Sequence, residues 1–385
     1  MNQFRSVRHS CFAIRCWLSV GLLFVFAADA ALAQQQPKPE PDVLVLVDGE
    51  RLVGQFVEST GATLTFKSDL VGQVILDWSK VQEFHSVKAF ALLPKEASIE
   101  RHADTSSIPQ GTVEVSNQRF NVTPRSGAPR SVAIADADHV VEEGAFQNAV
   151  ENPPGLLANW KGSITGGATL VQATQESRTF TGAISLNRID PEQDWLRKRN
   201  RTEVDFTASY GTVRQPASPE VKTEIYHAAL QRDEYFTQSW FGFGQASFDH
   251  NFSQGLDLQQ TYGGGLGWSV LKRGNESLEL KGAMTYIRQQ FSQASSNQNL
   301  IGSTFEEDFK RGLRYGATFT QQLILIPAWN NADALSAAAN ALLTMPVYKQ
   351  MNFSFGVIDN YLHNPPIGFK KNSFQLTAGV TYTVR

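Results

Sequence analysis

The sequence predicts an all-β protein, an antiparallel transmembrane β-barrel of about 12 strands preceded by a small SH3-like periplasmic β-domain. Three observations predict it. Between Trp160 and Arg385, about twelve consecutive stretches alternate apolar with polar or small residues, and each closes in a turn. Those stretches run about ten to fourteen residues, whereas soluble strands usually have five or six and a tilted membrane strand needs about 9 to 11. The chain also opens with the pattern of an export signal.

Arg5, Arg8 and Arg15 form a basic start, Trp17 to Ala28 is an apolar run, and Ala31-Leu32-Ala33 is a small-x-small cleavage site. Residues 1–33 are therefore read as a signal peptide removed on export, since a membrane anchor needs about 18 or more apolar residues and Asp29 interrupts a run already too short. Cys11 and Cys16 are the only cysteines and leave with it, which excludes disulfides and thiolate metal sites from the mature chain. The same cut removes three Arg and one Asp. Lys+Arg goes from 34 to 31 and Asp+Glu from 37 to 36, taking the formal charge from -3 to -5. A mildly acidic chain does not suit nucleic acid. No apolar stretch after Ala33 is long enough for a membrane helix, so only a closed barrel could span a bilayer.

Gln34 to Asp42 reads as a polar linker. Short strands follow: Val43 to Val47, a turn at Asp48-Gly49, Arg51 to Val57, a turn at Ser59-Thr60-Gly61, Ala62 to Phe66, then Val74 to Trp78 leading to Val81 and Phe84. This density of strands suggests the SH3-like barrel. Thr112 to Val115, Arg119 to Val122 and Ser131 to Ile134 look like further short strands, forming either a second unit or a continuation of the first. The periplasmic β-module is thus drawn over residues 43–140, with a connector over 141–159 and the barrel over 160–385.

In the barrel, Trp160, Gly162, Ile164, Gly166, Ala168 and Leu170 fall on one face. Val204, Phe206, Ala208 and Tyr210 oppose Glu203, Asp205, Thr207 and Ser209, and Leu278, Leu280, Met284 and Tyr286 stand against Glu279 and Lys281. The last strand, Phe374 to Val384, alternates most cleanly. Alternation does not say which face is outside. Strand length favours lipid outside, and so do mid-strand charges, which are costly in a dry core and cheap in a wet lumen. Glu203, Asp205, Glu279, Lys281, Glu306, Asp308 and Lys310 are accordingly read as lumen lining. Trp160, Tyr210, Tyr235, Phe236, Trp240, Tyr286, Trp329 and Tyr382 are read as interface girdles. With both termini on one side, connections after even-numbered strands should be short: Lys272 to Asn275, Arg311-Gly312 and Pro346 to Lys349 are, while Asn251 to Leu258, Phe291 to Asn299 and Asn364 to Lys371 are longer. Ile189 to Asn200 breaks the rule, being about twelve residues long where a tight turn belongs.

Phe305-Glu306-Glu307-Asp308-Phe309-Lys310, its spacing to Gln321-Gln322-Leu323, and Asn364-Pro365-Pro366-Ile367-Gly368-Phe369-Lys370-Lys371 before the final strand resemble the domain of unknown function 481 family of salt-induced outer-membrane proteins. Asp233-Glu234-Tyr235-Phe236, Phe241-Gly242-Phe243-Gly244 and Tyr262-Gly263-Gly264-Gly265-Leu266-Gly267 are similar to its middle section. The resemblance covers about residues 160–385 and implies an outer-membrane barrel with no established activity. Two departures stand out: Val171 to Ser177 replaces a Gly-Asn turn, and the chain ends on Arg385 rather than an aromatic residue.

No catalytic constellation emerges. His227, His250 and His363 lack the Ser two residues away that a barrel phospholipase pairs with its Asn-oriented His, and of Glu306, Glu307 and Asp308 only the first and last share a face. The Gly263 to Gly267 run, with no helix after it, lets a strand curve or facing side chains approach closely. No enzyme activity, cofactor or metal is expected. The expected function is a narrow passive pore or an envelope-stress component in the outer membrane. The competing readings are a barrel that anchors a periplasmic module binding peptidoglycan or a protein, and a soluble periplasmic β-protein. Expected partners are outer-membrane lipid, the barrel-assembly machinery and, through residues 43–140, peptidoglycan or a periplasmic protein.

Overall fold

The computed structural model describes residues 40–95, 99–172, 176–214, 221–331 and 333–384. The expected signal peptide lies outside them, as do most of the expected linker and the centre of the first barrel hairpin. Among the described residues no helix is long and apolar enough to cross a membrane.

The N-terminal part is one sheet of nine strands: β1 (Asp42–Leu46), β2 (Arg51–Thr60), β3 (Thr63–Ser68), β4 (Gly72–Asp77), β5 (Val81–Pro94), β6 (Gln110–Ser116), β7 (Arg119–Thr123), β8 (Arg130–Ala133) and β9 (Ala137–Glu142). Its spatial order is β4-β3-β2-β1-β5-β6-β7-β8, with β9 pairing both β2 and β5. Strands β6 to β9 therefore continue the first sheet, which resolves the choice left open for this stretch. The expected fifth strand does not stop near Phe84 but runs on to Pro94, pairing β1 with its first half and β9 with its second.

A single aromatic core explains that continuity. Leu44, Phe56, Phe66, Trp78, Phe84, Phe90, Val113, Phe120 and Val140 are buried together, and Trp78 meets Phe120 edge to face at 4.9 Å. Each buried large apolar side chain contributes roughly 1.5–3 kcal/mol. Two polar groups drawn inside are paired. The Trp78 indole N–H donates to Ser59 Oγ at 2.8 Å, and the buried Asp42 carboxylate accepts from the Phe56 N–H at 2.7 Å. The β1–β2 turn falls at Asp48-Gly49 as expected, with Gly49 at φ +87°, where a side chain would be strained.

The expected connector is more structured than its composition suggests, since it contains α1 (Glu143–Glu151). Phe146, Ala149 and Val150 recur at the i, i+3, i+4 spacing of one helical face, and Asn152-Pro153 ends the helix. That face packs on Ala91 and Leu93, the reverse side of β5, and on Ile99 beyond it. The second half of β5 is therefore buried on both sides.

Twelve antiparallel strands then close a barrel, β10 through β21: β10 (Trp160–Gln172), β11 (Glu176–Asp190), β12 (Asn200–Arg214), β13 (Val221–Tyr235), β14 (Trp240–Asn251), β15 (Leu256–Arg273), β16 (Glu276–Phe291), β17 (Gln298–Gly312), β18 (Thr318–Pro327), β19 (Leu335–Tyr348), β20 (Met351–Leu362) and β21 (Asn372–Val384). The seam runs from Gly162 opposite Val384 to Gly166 opposite Val380, and inside it Thr165, Thr381 and Ser354 join their hydroxyls at 2.8 and 2.9 Å. Phe180, Phe206, Leu230, Leu266, Met284, Phe305, Phe353 and Leu376 all stand exposed on the outer wall. A wall of apolar side chains this continuous suits hydrocarbon and not water.

Connections at the end that bears the N-terminal domain are short, as expected: 236–239, 274–275, 313–317 and 349–350. Two of them fall later than the residues suggested, because β17 runs through Arg311-Gly312 and β19 through Pro346 to Tyr348. The twelve-strand count stands, so the long β11–β12 connection is a real exception, and its contacts give the reason. Trp195 stacks on Phe146 at 5.4 Å, Leu196 is buried with Ile99, Phe146 and Val150, and Ile99 bridges Leu196 in parallel. Arg101 Nη2 meets Asp190 Oδ1 at 2.9 Å, and Arg197 pairs with Glu100. The connection is long because it docks the N-terminal domain on the barrel.

Candidate functional site

The period of two that turns apolar residues outward sends their neighbours into the lumen. At the level of the barrel near the N-terminal domain, those neighbours form a continuous charged network. Arg201 is its first centre: Nε lies 2.6 Å from Asp233 Oδ2 and 3.3 Å from Glu203 Oε1, while Nη2 reaches Glu279 Oε2 at 2.7 Å. Lys281 is the second, with Nζ at 3.1 Å from Glu306 Oε1, 2.8 Å from Asp308 Oδ2 and 3.2 Å from Gln231 Oε1. The Gln231 amide donates to Asp233 at 2.7 Å, joining the two centres, and Gln322 carries the network on from Glu306 to Asn340.

The bond from Arg201 on β12 to Glu279 on β16 crosses the lumen as a chord, passing over three intervening strands. The inner face of those strands is shaped to allow it. Phe241 and Phe243 of β14 pack with Tyr235 and Ala283, the Arg201 guanidinium lies 5.3 Å from the Phe241 ring centre, and β15 presents glycines. A Cβ on Gly267 would stand 2.2 Å from Phe241, so the ring fits only because that position has no side chain. The glycine run thus does what its sequence suggested, letting facing side chains approach.

Of the seven residues expected to line the lumen, Glu203, Glu279, Lys281, Glu306 and Asp308 enter this network. Asp205 takes the next inward position, beside His227, and Lys310, further toward the N-terminal domain, is exposed and outside the network. Tyr235 was expected in an aromatic girdle. It is instead buried against Phe241 at 5.1 Å, because it shares the inward parity of Gln231 and Asp233. Arg201 and Asp233 were missed, though Arg201 sits two residues before Glu203 and so had to share its face.

A second network follows the inner wall of the far half from strand to neighbouring strand. Asn331, Gln298, Gln289 and Gln259 pass amide hydrogen bonds at 3.0, 2.7 and 2.7 Å, and Gln259 donates to Asp249, whose carboxylate holds His227 Nδ1 at 2.6 Å. At the far mouth, the β14–β15 connection reaches the opposite wall. The buried Gln254 amide donates to Asn360 O at 3.0 Å and Lys371 O at 2.7 Å, and the Phe369 ring occupies the space where a Cβ on Gly255 would be. The lumen is therefore spanned by side chains near the N-terminal domain, at Arg201 and Glu279, and at the far mouth, at Gln254.

The family model described as protein of unknown function, DUF481, matches residues 164–384. The chain belongs to this family. The match coincides with the barrel of this DUF481 protein and leaves its N-terminal domain outside. Among solved structures, the chain is similar to the COG4313 outer membrane channel from Pseudomonas putida F1, at 10% identity over 58% of this chain and 94% of that one, with a TM-score of 0.35. It is similar to the NanC porin at 8% identity over 58% and 100%, with a TM-score of 0.35. It is also similar to the translocator domain of autotransporter NalP from Neisseria meningitidis, at 10% identity over 58% and 87%, with a TM-score of 0.30. No curated protein matches the DUF481 chain.

Proposed function

We propose that this protein is an outer-membrane anchor: a barrel closed by its own side chains that holds a β-domain in the periplasm, where the domain binds peptidoglycan or a protein partner. The observation that carries this reading is the chord of Arg201, Asp233, Glu279, Lys281 and Glu306 across the lumen, in which Asp233, Lys281 and Glu306 are buried. Ions crossing at this level would have to displace charges already paired to one another, and freeing one member of a buried pair costs about 3–5 kcal/mol. The docked β11–β12 connection supports the anchoring role, because a passive pore gains nothing from a rigidly held domain at its mouth.

The pore reading makes the opposite demand on one experiment. Full-length protein reconstituted in planar bilayers is expected to give no steady conductance, whereas a Glu306→Ala/Asp308→Ala variant, which frees Lys281 and thins the chord, is expected to leak. Steady channels from the unmodified protein would overturn the anchor reading and favour a narrow pore lined by the same carboxylates. Co-sedimentation of the detergent-solubilised full chain with purified sacculi then separates peptidoglycan from a protein as the partner.

A further inference from the structure

We infer that the segment between α1 and the barrel, residues 152–159, is a second membrane contact, with Leu156 and Leu157 inserted in the interfacial layer of the leaflet on the side of the N-terminal domain. These two side chains are 83% and 94% exposed, yet the backbone that carries them is held from several sides. The Arg188 guanidinium, itself buried, donates to Ala158 O at 3.1 Å, Pro154 O at 3.2 Å and Gly155 O at 3.4 Å. The Trp160 indole N–H donates to Leu156 O at 3.0 Å, and the Ala158 N–H closes the turn on Gly155 O at 3.0 Å.

The position of the clamp identifies what covers the leucines. Arg188 shares the parity of Phe180 and Ile184, so it belongs to the outward face of β11, and its partner across the ladder is Trp160, the first residue of β10. The turn consequently lies against the outside of the barrel wall, at the edge of the band that meets lipid. At the same end of the barrel Trp240 and Trp268 stack outside the wall at 5.4 Å, the arrangement expected of rings at headgroup depth. Arg188 satisfies three carbonyls that would otherwise face the acyl boundary, and paired leucines beside an indole are the side chains that enter the interface most readily. Buried in protein, the same leucines would need a facing apolar surface, and their exposure shows that the described residues supply none. A lipid leaflet continuous with the barrel's own supplies it.

This inference rests on the outer wall being lipid-facing, and the experiment separates the two. In a full-length background with Cys11 and Cys16 replaced by alanine, single cysteines are placed by Leu157→Cys, by Leu230→Cys on the outer wall and by Leu70→Cys at an exposed tip of the N-terminal domain. Each is nitroxide-labelled and reconstituted in phosphatidylethanolamine/phosphatidylglycerol vesicles. Collision with oxygen relative to a water-soluble nickel chelate is expected to be severalfold higher at 157 than at 70, approaching the value at 230. A lipid value at 230 with the aqueous value of 70 at 157 would overturn the insertion alone. Shielding of 157 from both reagents would also overturn it, by showing a protein cover. An aqueous value at 230 would overturn the membrane reading beneath it.

Discussion

The N-terminal domain and the barrel are built from the same alternating strands, yet one buries its aromatic rings and the other displays most of them. Phe56, Phe66, Trp78, Phe84, Phe90 and Phe120 are buried in the first, while Phe180, Phe206, Phe248, Phe305, Phe353 and Phe374 are exposed in the second. The polar residues exchange places as well: Asp233, Lys281, Glu306 and Gln289 are buried in the barrel lumen. Alternation therefore determines that a strand forms, and the medium outside determines which face turns in. A cylinder in hydrocarbon can bury charges because the lumen brings opposite signs together, as Arg201 and Lys281 do.

The largest test of this inversion lies at Lys281. Lys281→Ala leaves Glu306 and Asp308 facing each other without their cation, and should destabilise the barrel by about 3–5 kcal/mol. The measure is the urea midpoint for refolding into lipid vesicles. Lys281→Met combined with Glu306→Gln and Asp308→Asn should recover most of that loss, and no recovery would mean that the network supports the barrel by shape rather than by charge.

Next comes a matched pair of truncations. Phe84→Ala removes a ring from the packed core of the N-terminal domain and should cost about 3–5 kcal/mol, with the cavity adding to the transfer loss. Phe353→Ala on the outer wall leaves a gap that lipid chains fill, so its cost should be about 1–2 kcal/mol from lost transfer alone. Equal costs in the two regions would remove the distinction between packed and lipid-facing aromatic residues.

Arg101 tests the join between the regions. Its side chain is buried against Asp190, and Arg101→Ala should weaken docking by about 2 kcal/mol, seen as faster proteolytic release of the N-terminal domain from the membrane fraction. Unchanged release would place the hold in the remaining docking contacts, the Trp195–Phe146 stack, Leu196 with Ile99, and Arg197 with Glu100.

The smallest effect is a pH dependence at Lys198, in the docking connection. Burial, reinforced by the charge of Lys272 beside it, pulls its pKa down from 10.5 to about 8. Below pH 8 the ammonium is charged both folded and unfolded, and the cost of holding it there is fully present. Between about pH 8 and 10.5 the folded form loses the proton first, so stability rises with pH across that window. Lys198→Met should therefore stabilise the protein at pH 7, with an advantage that fades by pH 10.5. An advantage unchanged over that range would show that the charge at 198 carries no cost.

Most strands were legible because a period of two needs only local sequence: the count of twelve in the barrel holds, and the barrel strands read residue by residue and eight of the nine N-terminal ones lie close to where the residues put them. β9 was overlooked because Ala137 to Glu142 carries Asp138 and His139 among its apolar residues and reads as a loop until β2 and β5 are known to flank it. α1 was masked by the Pro-rich tail that follows it. In the lumen, parity was enough to pick out Glu203, Glu279, Lys281, Glu306 and Asp308, and the same rule would have added Arg201 and moved Tyr235 inward. What parity cannot give is the chord itself, since which residues meet across a cylinder depends on stagger and on the glycines of β15 rather than on any one strand. The reach of Gln254 to the opposite wall has the same origin, and no local signal marks it.

Photolabelling with a diazirine confined to the lipid phase tests the inversion most directly, with adducts located by mass spectrometry in full-length protein reconstituted in vesicles. The account predicts adducts on the outer-wall residues Phe305, Phe353 and Leu376 and none on Phe84, Phe120 or Phe241. Adducts missing from the outer wall, or found instead on the lumen-facing Phe241, would contradict it.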